Sequence, residues 1–220
     1  MNFFWKMFSR ALMLLLVLPV TNSIKGLVAK WQGDDTAERS GRITLNPMVH
    51  LDLLGSLAIM LCGFGWAKPM PINFGRMKSY KRGVVLISLT DPITHFISSI
   101  ICLNIASIIS YTVSGYAGIA ISIIFSTLAE INTCLGVIHL LPIPGMDGFT
   151  LLYMFAGQKF VRWYHYNQRM VDQVSLIVLF VLFFIGDLTR GLIDPLGWLI
   201  YLVHYGVLYK TTFWIPFIFT

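Results

Sequence analysis

The chain has 220 residues, of which 56% are hydrophobic, 14% aromatic and only 12% charged, against about 45–50% apolar and about 25% charged in an ordinary soluble domain. This excludes a disordered chain, because so much apolar surface would collapse, and it argues against a soluble globule, whose interior at this length is too small to hide it. A bilayer is the solvent that fits; the net charge of +6 then reads as the Lys and Arg excess of cytoplasmic loops and not as a nucleic-acid-binding surface.

In chain order, the first apolar run holds Phe3, Phe4, Trp5 and Phe8 and continues through 11–20 (ALMLLLVLPV). Lys6 and Arg10 precede its core as they would in a signal peptide, but Pro19 to Ser23 makes a poor small-residue cleavage site, so an uncleaved first membrane helix is expected. Gly33 suits a helix C-cap, and Asp34-Asp35 open a loop. Ile43 and Leu45 alternate with Arg42, Thr44 and Asn46, which predicts a short strand; Asn46-Pro47 and the glycines of 63–65 predict turns. The run 51–67, broken by Gly55, Gly63 and Gly65, is a marginal span that either crosses or dips in and returns. Runs at 83–111, 117–141, 171–186 and 191–209 follow.

These lengths predict an all-α polytopic membrane protein with five or six transmembrane helices and a small membrane-embedded β or re-entrant element. Helix is expected because lipid offers the backbone no partners, and the polar–apolar alternation of a barrel strand is missing. A single membrane domain is expected over 1–220: a first core helix (1–30), a loop with the β or re-entrant region (31–82), core helices (83–156) and C-terminal helices (157–220). If 51–67 crosses, eleven Lys and Arg lie on one side and five on the other; if it re-enters, Arg190 included, the split is thirteen to three. Both versions place the 68–82 and 157–170 loops in the cytoplasm.

Polar residues inside apolar runs are the first candidates for chemistry, because a carboxylate at mid-bilayer costs about 2.5–3.5 kcal/mol on insertion scales. They are Asp91, His95, Glu130, His139 and Asp147, with Asn104 and Asn132 weaker. Asp91 and His95 are four apart and share a helix face, a spacing that suits two metal ligands. Asp91-Pro92 also reads as an N-cap followed by proline at the first helical position, and that reading is preferred. Glu130 shares a face with Cys134 and is expected to find a polar partner inside the bundle. Pro142, Pro144, Gly145 and Gly148 break the run beside Asp147. Such a break lies buried in protein or lines a cavity, which makes Asp147 a functional candidate; the competing reading is an N-cap for a helix starting near Phe149. Cys62, Cys102 and Cys134 imply no disulfide framework and read as buried thiols. Near the C-terminus, Trp163 to Tyr166 beside Lys159, Arg162 and Arg169 read as an interfacial belt, with His165 and His204 interfacial as well. Tyr201, Tyr205 and Tyr209 recur every four residues on one face, beside Trp198, and read as packing within the bundle.

Several stretches resemble the site-2 protease family of intramembrane zinc metalloproteases. They are Gly33 to Pro47 (GDDTAERSGRITLNP), His50 to Leu57 (HLDLLGSL), Gly63 to Asn73 (GFGWAKPMPIN) and Leu140 to Gly148 (LLPIPGMDG), in the family's order, covering residues 18 to about 152. The resemblance implies the membrane-embedded sheet and re-entrant region over 42–75. It also implies a His-Glu-x-x-His motif just before Gly26, Ala29, Gly33 and Asp34. In that motif two histidines at i and i+4 bind zinc and the glutamate between them is the general base.

Here the five motif positions are Thr21, Asn22, Ser23, Ile24 and Lys25. Threonine is a poor zinc ligand, an ammonium only donates and repels a cation, and the Asn22 amide takes no proton from water. Of three zinc ligands and the base, only the Asp147 position survives. Where the family commonly has Gly-Pro-x-x-Asn and Asn-x-x-Pro, this chain has Asp91-Pro92-Ile93-Thr94-His95 and His139-Leu140-Leu141-Pro142.

Three functions follow from these residues. The leading one is a pseudoprotease that keeps the scaffold, expects no cofactor, and binds a membrane partner or transmembrane helix in the former substrate cleft. Lys25, at the place of the second zinc-binding histidine, is expected to point toward Asp147 and supply the positive charge that zinc would give. The alternative is an intramembrane zinc metalloprotease with a rearranged site of His95, His139 and Asp147 and Glu130 as base. The third is a transporter or channel using the polar break, which lacks the internal repeat common in transporters.

Overall fold

The first apolar run is a continuous helical rod made of α1 (Asn2–Leu12), a π-helical turn (Met13–Val17) and α2 (Leu18–Trp31). Pro19 has no N–H to give back along the helix, and the wide turn just before it accommodates the missing bond. Gly33 ends the rod in the left-handed conformation (φ 106°), with its N–H on the Lys30 carbonyl at 2.9 Å and the Asp34 N–H on Ala29 at 3.0 Å. This computed structural model describes residues 2–62, 65–189, 192–215 and 218. Gly63 and Phe64 of the expected glycine turn, and Arg190 of the charge split, lie outside the described residues, as does the Cys62 side chain.

After α3 (Thr36–Arg39) and α4 (Pro47–His50), α5 (Leu53–Cys62) is the helical part of the 51–67 run. Its 10 residues reach about 15 Å, half of a hydrocarbon core of about 30 Å. Leu51 pairs antiparallel with Ala67 across an isolated bridge, and the Lys68 N–H donates to the His50 carbonyl at 2.8 Å. The segment therefore leaves and returns at one place. A Cβ on Gly55 would lie 2.0 Å from the Trp66 carbonyl oxygen, and one on Gly65 2.0 Å from that of Gly55. The glycines that interrupt the run are where its two limbs touch.

The strand expected around Ile43 and Leu45 is replaced by bends, and among the described residues that bridge is the only sheet-like pairing. The reason lies in the Thr44 carbonyl, which accepts from the Ser23 hydroxyl at 2.6 Å and from His50 Nε2 at 2.7 Å. Side chains hold the backbone oxygen that a ladder would need.

The longest helices, α6 (Tyr80–Thr112) and α7 (Gly115–Leu140), form an antiparallel hairpin joined at Val113-Ser114; α1 packs on α7 and α2 on α6. A loop holding Pro142 and Pro144 leads into α8 (Asp147–Phe155), where Gly148 lies so close that a Cβ would stand 2.2 Å from the Leu140 carbonyl oxygen. Then come α9 (Gln158–Leu188) and α10 (Pro195–Val203). Met13, Leu18, Leu103, Leu128, Leu135 and Ile138 are in the common core. Ile93, Ile97 and Ile101, one turn apart on α6, face outward, as do Leu15, Leu16 and Val20. An apolar outer face suits lipid as the surrounding solvent.

Among the described residues three helical runs are long and apolar enough to cross a membrane: Phe3–Trp31, Tyr80–Thr112 and Gly115–Leu140. Three of the expected five or six are thus met among the described residues. The 51–67 run folds back on itself. The 171–186 run continues a helix whose first half is polar, so 157–170 is largely helical and not a loop; the 191–209 run divides into α10 and a π-helical turn.

Candidate functional site

Four helices bring the polar residues of the apolar runs together. One face of α2 carries Thr21 and Lys25, with Asn22 beside them. Asp91 and His95 lie one turn apart inside α6, His139 is in the last turn of α7, and Asp147 opens α8. The proline-containing loop fixes the last two relative to each other, and Gly148 permits α8 to sit against the end of α7.

The Lys25 ammonium donates to both carboxylates: Nζ is 2.8 Å from Asp91 Oδ2 and 2.9 Å from Asp147 Oδ1. His139 Nδ1 donates to Asp147 Oδ2 at 2.6 Å and lies 3.7 Å from Asp91 Oδ2. The second oxygen of Asp91 is buried without a hydrogen-bond partner. Behind this pair of acids, His95 is 2% exposed, stacks on His139 with ring centroids 5.8 Å apart, and places Nδ1 2.9 Å from Asn132 Oδ1. Asn132 is itself held, its amide donating to the Leu128 carbonyl at 2.8 Å. Lys25, Asp91, His95, His139 and Asp147 line a hollow of about 490 Å³, together with Asn22, Trp66, Phe74, Leu135 and Phe180. The 65–70 segment forms one wall.

Asp91 is inside α6 and not at its start, since Pro92 follows it within the helix. This corrects the N-cap reading: membrane helices accept proline, and Asp91 uses its carboxylate on Lys25. Asp147 is the first residue of α8, yet makes no cap bond; its oxygens go to Lys25 and His139. Thr21 turns its hydroxyl back onto the Leu18 carbonyl at 3.1 Å. Glu130 is exposed and lines other hollows with Lys6, so among the described residues it neither meets a partner inside the bundle nor stands beside Asp147 as a base. His204 is buried, not interfacial, with Nδ1 2.8 Å from the Thr133 hydroxyl. Cys102 is buried and Cys134 partly so, both as free thiols.

A divalent cation is the group a protease of this kind would need. Asp91, His139 and Asp147 each offer one ligand atom, all within 4.8 Å of one another. The trio differs from His95, His139 and Asp147, because His95 is turned toward Asn132. A zinc ion among these atoms would share the two carboxylates with the ammonium already bonded to both, so with Lys25 charged the set does not fit one. Asn132 was only a weaker candidate from the sequence, and its contact with His95 and the pairing role of Asp91 were missed by sequence reasoning. An aspartate eleven residues into an apolar helix, one turn before a histidine, was the signal for the second.

Against known proteins, the chain is 35% identical over 123 residues to "Putative zinc metalloprotease YwhC" of Bacillus subtilis (strain 168). The match takes in 54% of this chain, which spans about half (56%) of that relative's length. No family model matches the chain, and no solved structure does. By its ordered motifs and by this likeness, the chain resembles a divergent site-2 protease that lacks the His-Glu-x-x-His motif.

Proposed function

We propose that this chain is an integral membrane protein built on the site-2 protease scaffold in which the ammonium of Lys25 takes the place of the zinc ion, and that it holds a transmembrane helix of another protein without cleaving it. The observation that carries the reading is the double contact of Lys25 with Asp91 and Asp147, at 2.8 and 2.9 Å, from the position where the motif would put its second histidine. A positioned general base contributes about 10²–10⁴ in rate, and Asn22 stands where it would be. The hollow is wide enough for side chains of a guest helix and is walled by the 65–70 segment and apolar residues of α7 and α9. On this reading the 68–82 loop and the 157–170 stretch face the cytoplasm.

The test is the zinc content of the full chain purified in detergent, beside a cleavage assay on a membrane-embedded peptide. The reading expects well under one zinc per chain and no cleavage above a Lys25→Ala control. One zinc per chain that disappears in His139→Ala would overturn it. That outcome would favour a second reading, a metal site of Asp91, His139 and Asp147 from which Lys25 swings away, which rests on the closeness of those three groups.

A further inference from the structure

Asp91 reaches the lysine cluster with one oxygen only. Its Oδ2 accepts from Lys25 at 2.8 Å, while Oδ1 is buried and, among the described residues, has no hydrogen-bond partner. Three positions earlier on α6, Ser88 is 1% exposed and its hydroxyl is likewise without a partner. Residues at that spacing are neighbours on one helix face, with Cβ atoms about 5–6 Å apart. Both line the hollow of about 490 Å³. The charges point the same way. Asp91 and Asp147 bring two carboxylates, Lys25 brings one ammonium, and His139 needs no charge to donate from Nδ1 to Asp147. One negative charge is left over, eleven residues into α6. At 1.5 Å per residue that is about 16 Å from the helix start, near the middle of a hydrocarbon core of about 30 Å. An uncompensated carboxylate is costly there.

We infer that the hollow takes a basic side chain, Arg or Lys, from the middle of a partner's transmembrane helix, and that this side chain completes the charge balance at Asp91. The inference rests on the reading of the chain as a holder of such helices, and it names the guest's chemistry. A guanidinium has N–H groups for both Asp91 Oδ1 and Ser88 Oγ, and it carries the missing positive charge. Lys25 occupies Oδ2, so the two cations sit on different oxygens of one carboxylate. A neutral polar residue would fill the hydrogen bonds and leave the charge; an acidic one would add a third carboxylate. The long stem of Arg or Lys passes the apolar part of the lining, Ile87, Leu176 and Phe180, and keeps its charged head for the polar end.

The experiment uses the full chain in phosphatidylcholine vesicles, whose headgroups carry no net charge. Three labelled transmembrane peptides of about 20 Leu and Ala residues carry Arg, citrulline or Leu at the centre, and binding is read by energy transfer. Citrulline keeps the shape of the Arg head without its charge. The Arg peptide is expected to bind about tenfold more tightly than the citrulline peptide, in keeping with polar contacts between helices in lipid. Asp91→Asn should remove that difference, and Ser88→Ala should reduce it without removing it. The wild-type comparison of Arg with citrulline decides the matter even where Asp91→Asn does not fold. Equal binding of these two peptides overturns the inference and leaves the helix-holding reading in place, whereas no binding of any peptide overturns both. An Arg preference that survives in folded Asp91→Asn assigns the charge to another group and overturns it. So does a preference present in choline chloride and lost in sodium chloride of the same strength, which would give the place at Asp91 to a small inorganic cation.

Discussion

Asp34 and Asp147 are both withdrawn from solvent, and they are stabilised in opposite ways. Asp34, just beyond the first rod, is fully buried and accepts the Thr36 N–H at 3.1 Å, the Asn73 N–H at 2.6 Å and the Thr36 hydroxyl. The hydrogen bonds come from neutral dipoles, two of them from Thr36 next door and one from the backbone of Asn73, 39 positions on. Asp147, between three long helices, depends on the Lys25 ammonium and on His139. The first arrangement needs only backbone and hydroxyl donors, from Thr36 and from the 73 turn that packs on it. The second requires a charge from a residue 122 positions away in sequence, and losing that charge leaves two acids facing each other. The difference teaches where the fold is rigid by turn geometry and where it is held by a single side chain.

The largest predicted effect is at Lys25. Lys25→Ala leaves Asp91 and Asp147 without their shared cation, and removing one member of a buried pair costs about 3–5 kcal/mol; a fall of that order in thermal or denaturant stability in detergent is expected. Gly55→Ala comes next. Its new methyl would be driven into the Trp66 carbonyl, and overpacking of this kind costs about 1–3 kcal/mol, to be read as lower stability and faster proteolysis within 52–66. If Gly55→Ala were silent, the back-folded hairpin would be wrong.

Asp34→Asn sharpens the contrast in a different coordinate. Burial alone would push the Asp34 carboxyl up, but the hydrogen bonds from Thr36 and the Asn73 N–H, with help from Arg76, hold it below the ordinary aspartate value of 3.8. A carboxyl whose folded value is lowered contributes stability that is full above the unfolded value and is lost as pH falls through the folded one. Wild type should therefore lose stability below about pH 4 in a step that Asp34→Asn lacks, on top of about 1–3 kcal/mol for mismatched donors at any pH. Identical acid limbs for the two proteins would contradict this. The smallest effect is expected at Ser23→Ala, which removes one donor from the Thr44 carbonyl and costs about 0.5–1.5 kcal/mol, because His50 still serves the same oxygen.

What the sequence made legible follows the same line. The helices of the long apolar runs, the capping glycine at Gly33 and the break before Asp147 were readable, because each depends on near neighbours. The strand at 42–46 failed because alternation cannot see that Ser23 and His50 would claim the Thr44 carbonyl. Only three of the expected spans are met among the described residues, because run length cannot see that Gly55 and Gly65 let a chain fold back, or that polar residues fill the first half of α9. Asp91 was assigned to a cap because Asp-Pro marks a boundary in water-soluble helices, whereas a membrane bundle keeps the helix and uses the carboxylate. Glu130 was placed inside because a charge in an apolar run is expensive; the fold instead leaves it on the flank, facing Lys6 across an open groove.

The account stands most directly on the coupling between Lys25 and Asp147, measured as a double-mutant cycle of thermal unfolding with Lys25→Ala, Asp147→Asn and the two together. A paired ammonium predicts that the double variant recovers a large part of what Lys25→Ala loses, with a coupling at the upper end of the 0.5–3 kcal/mol seen for residues in contact, about 2 kcal/mol or more. Two losses that simply add would mean that Lys25 does not stand in for a metal ion beside that carboxylate.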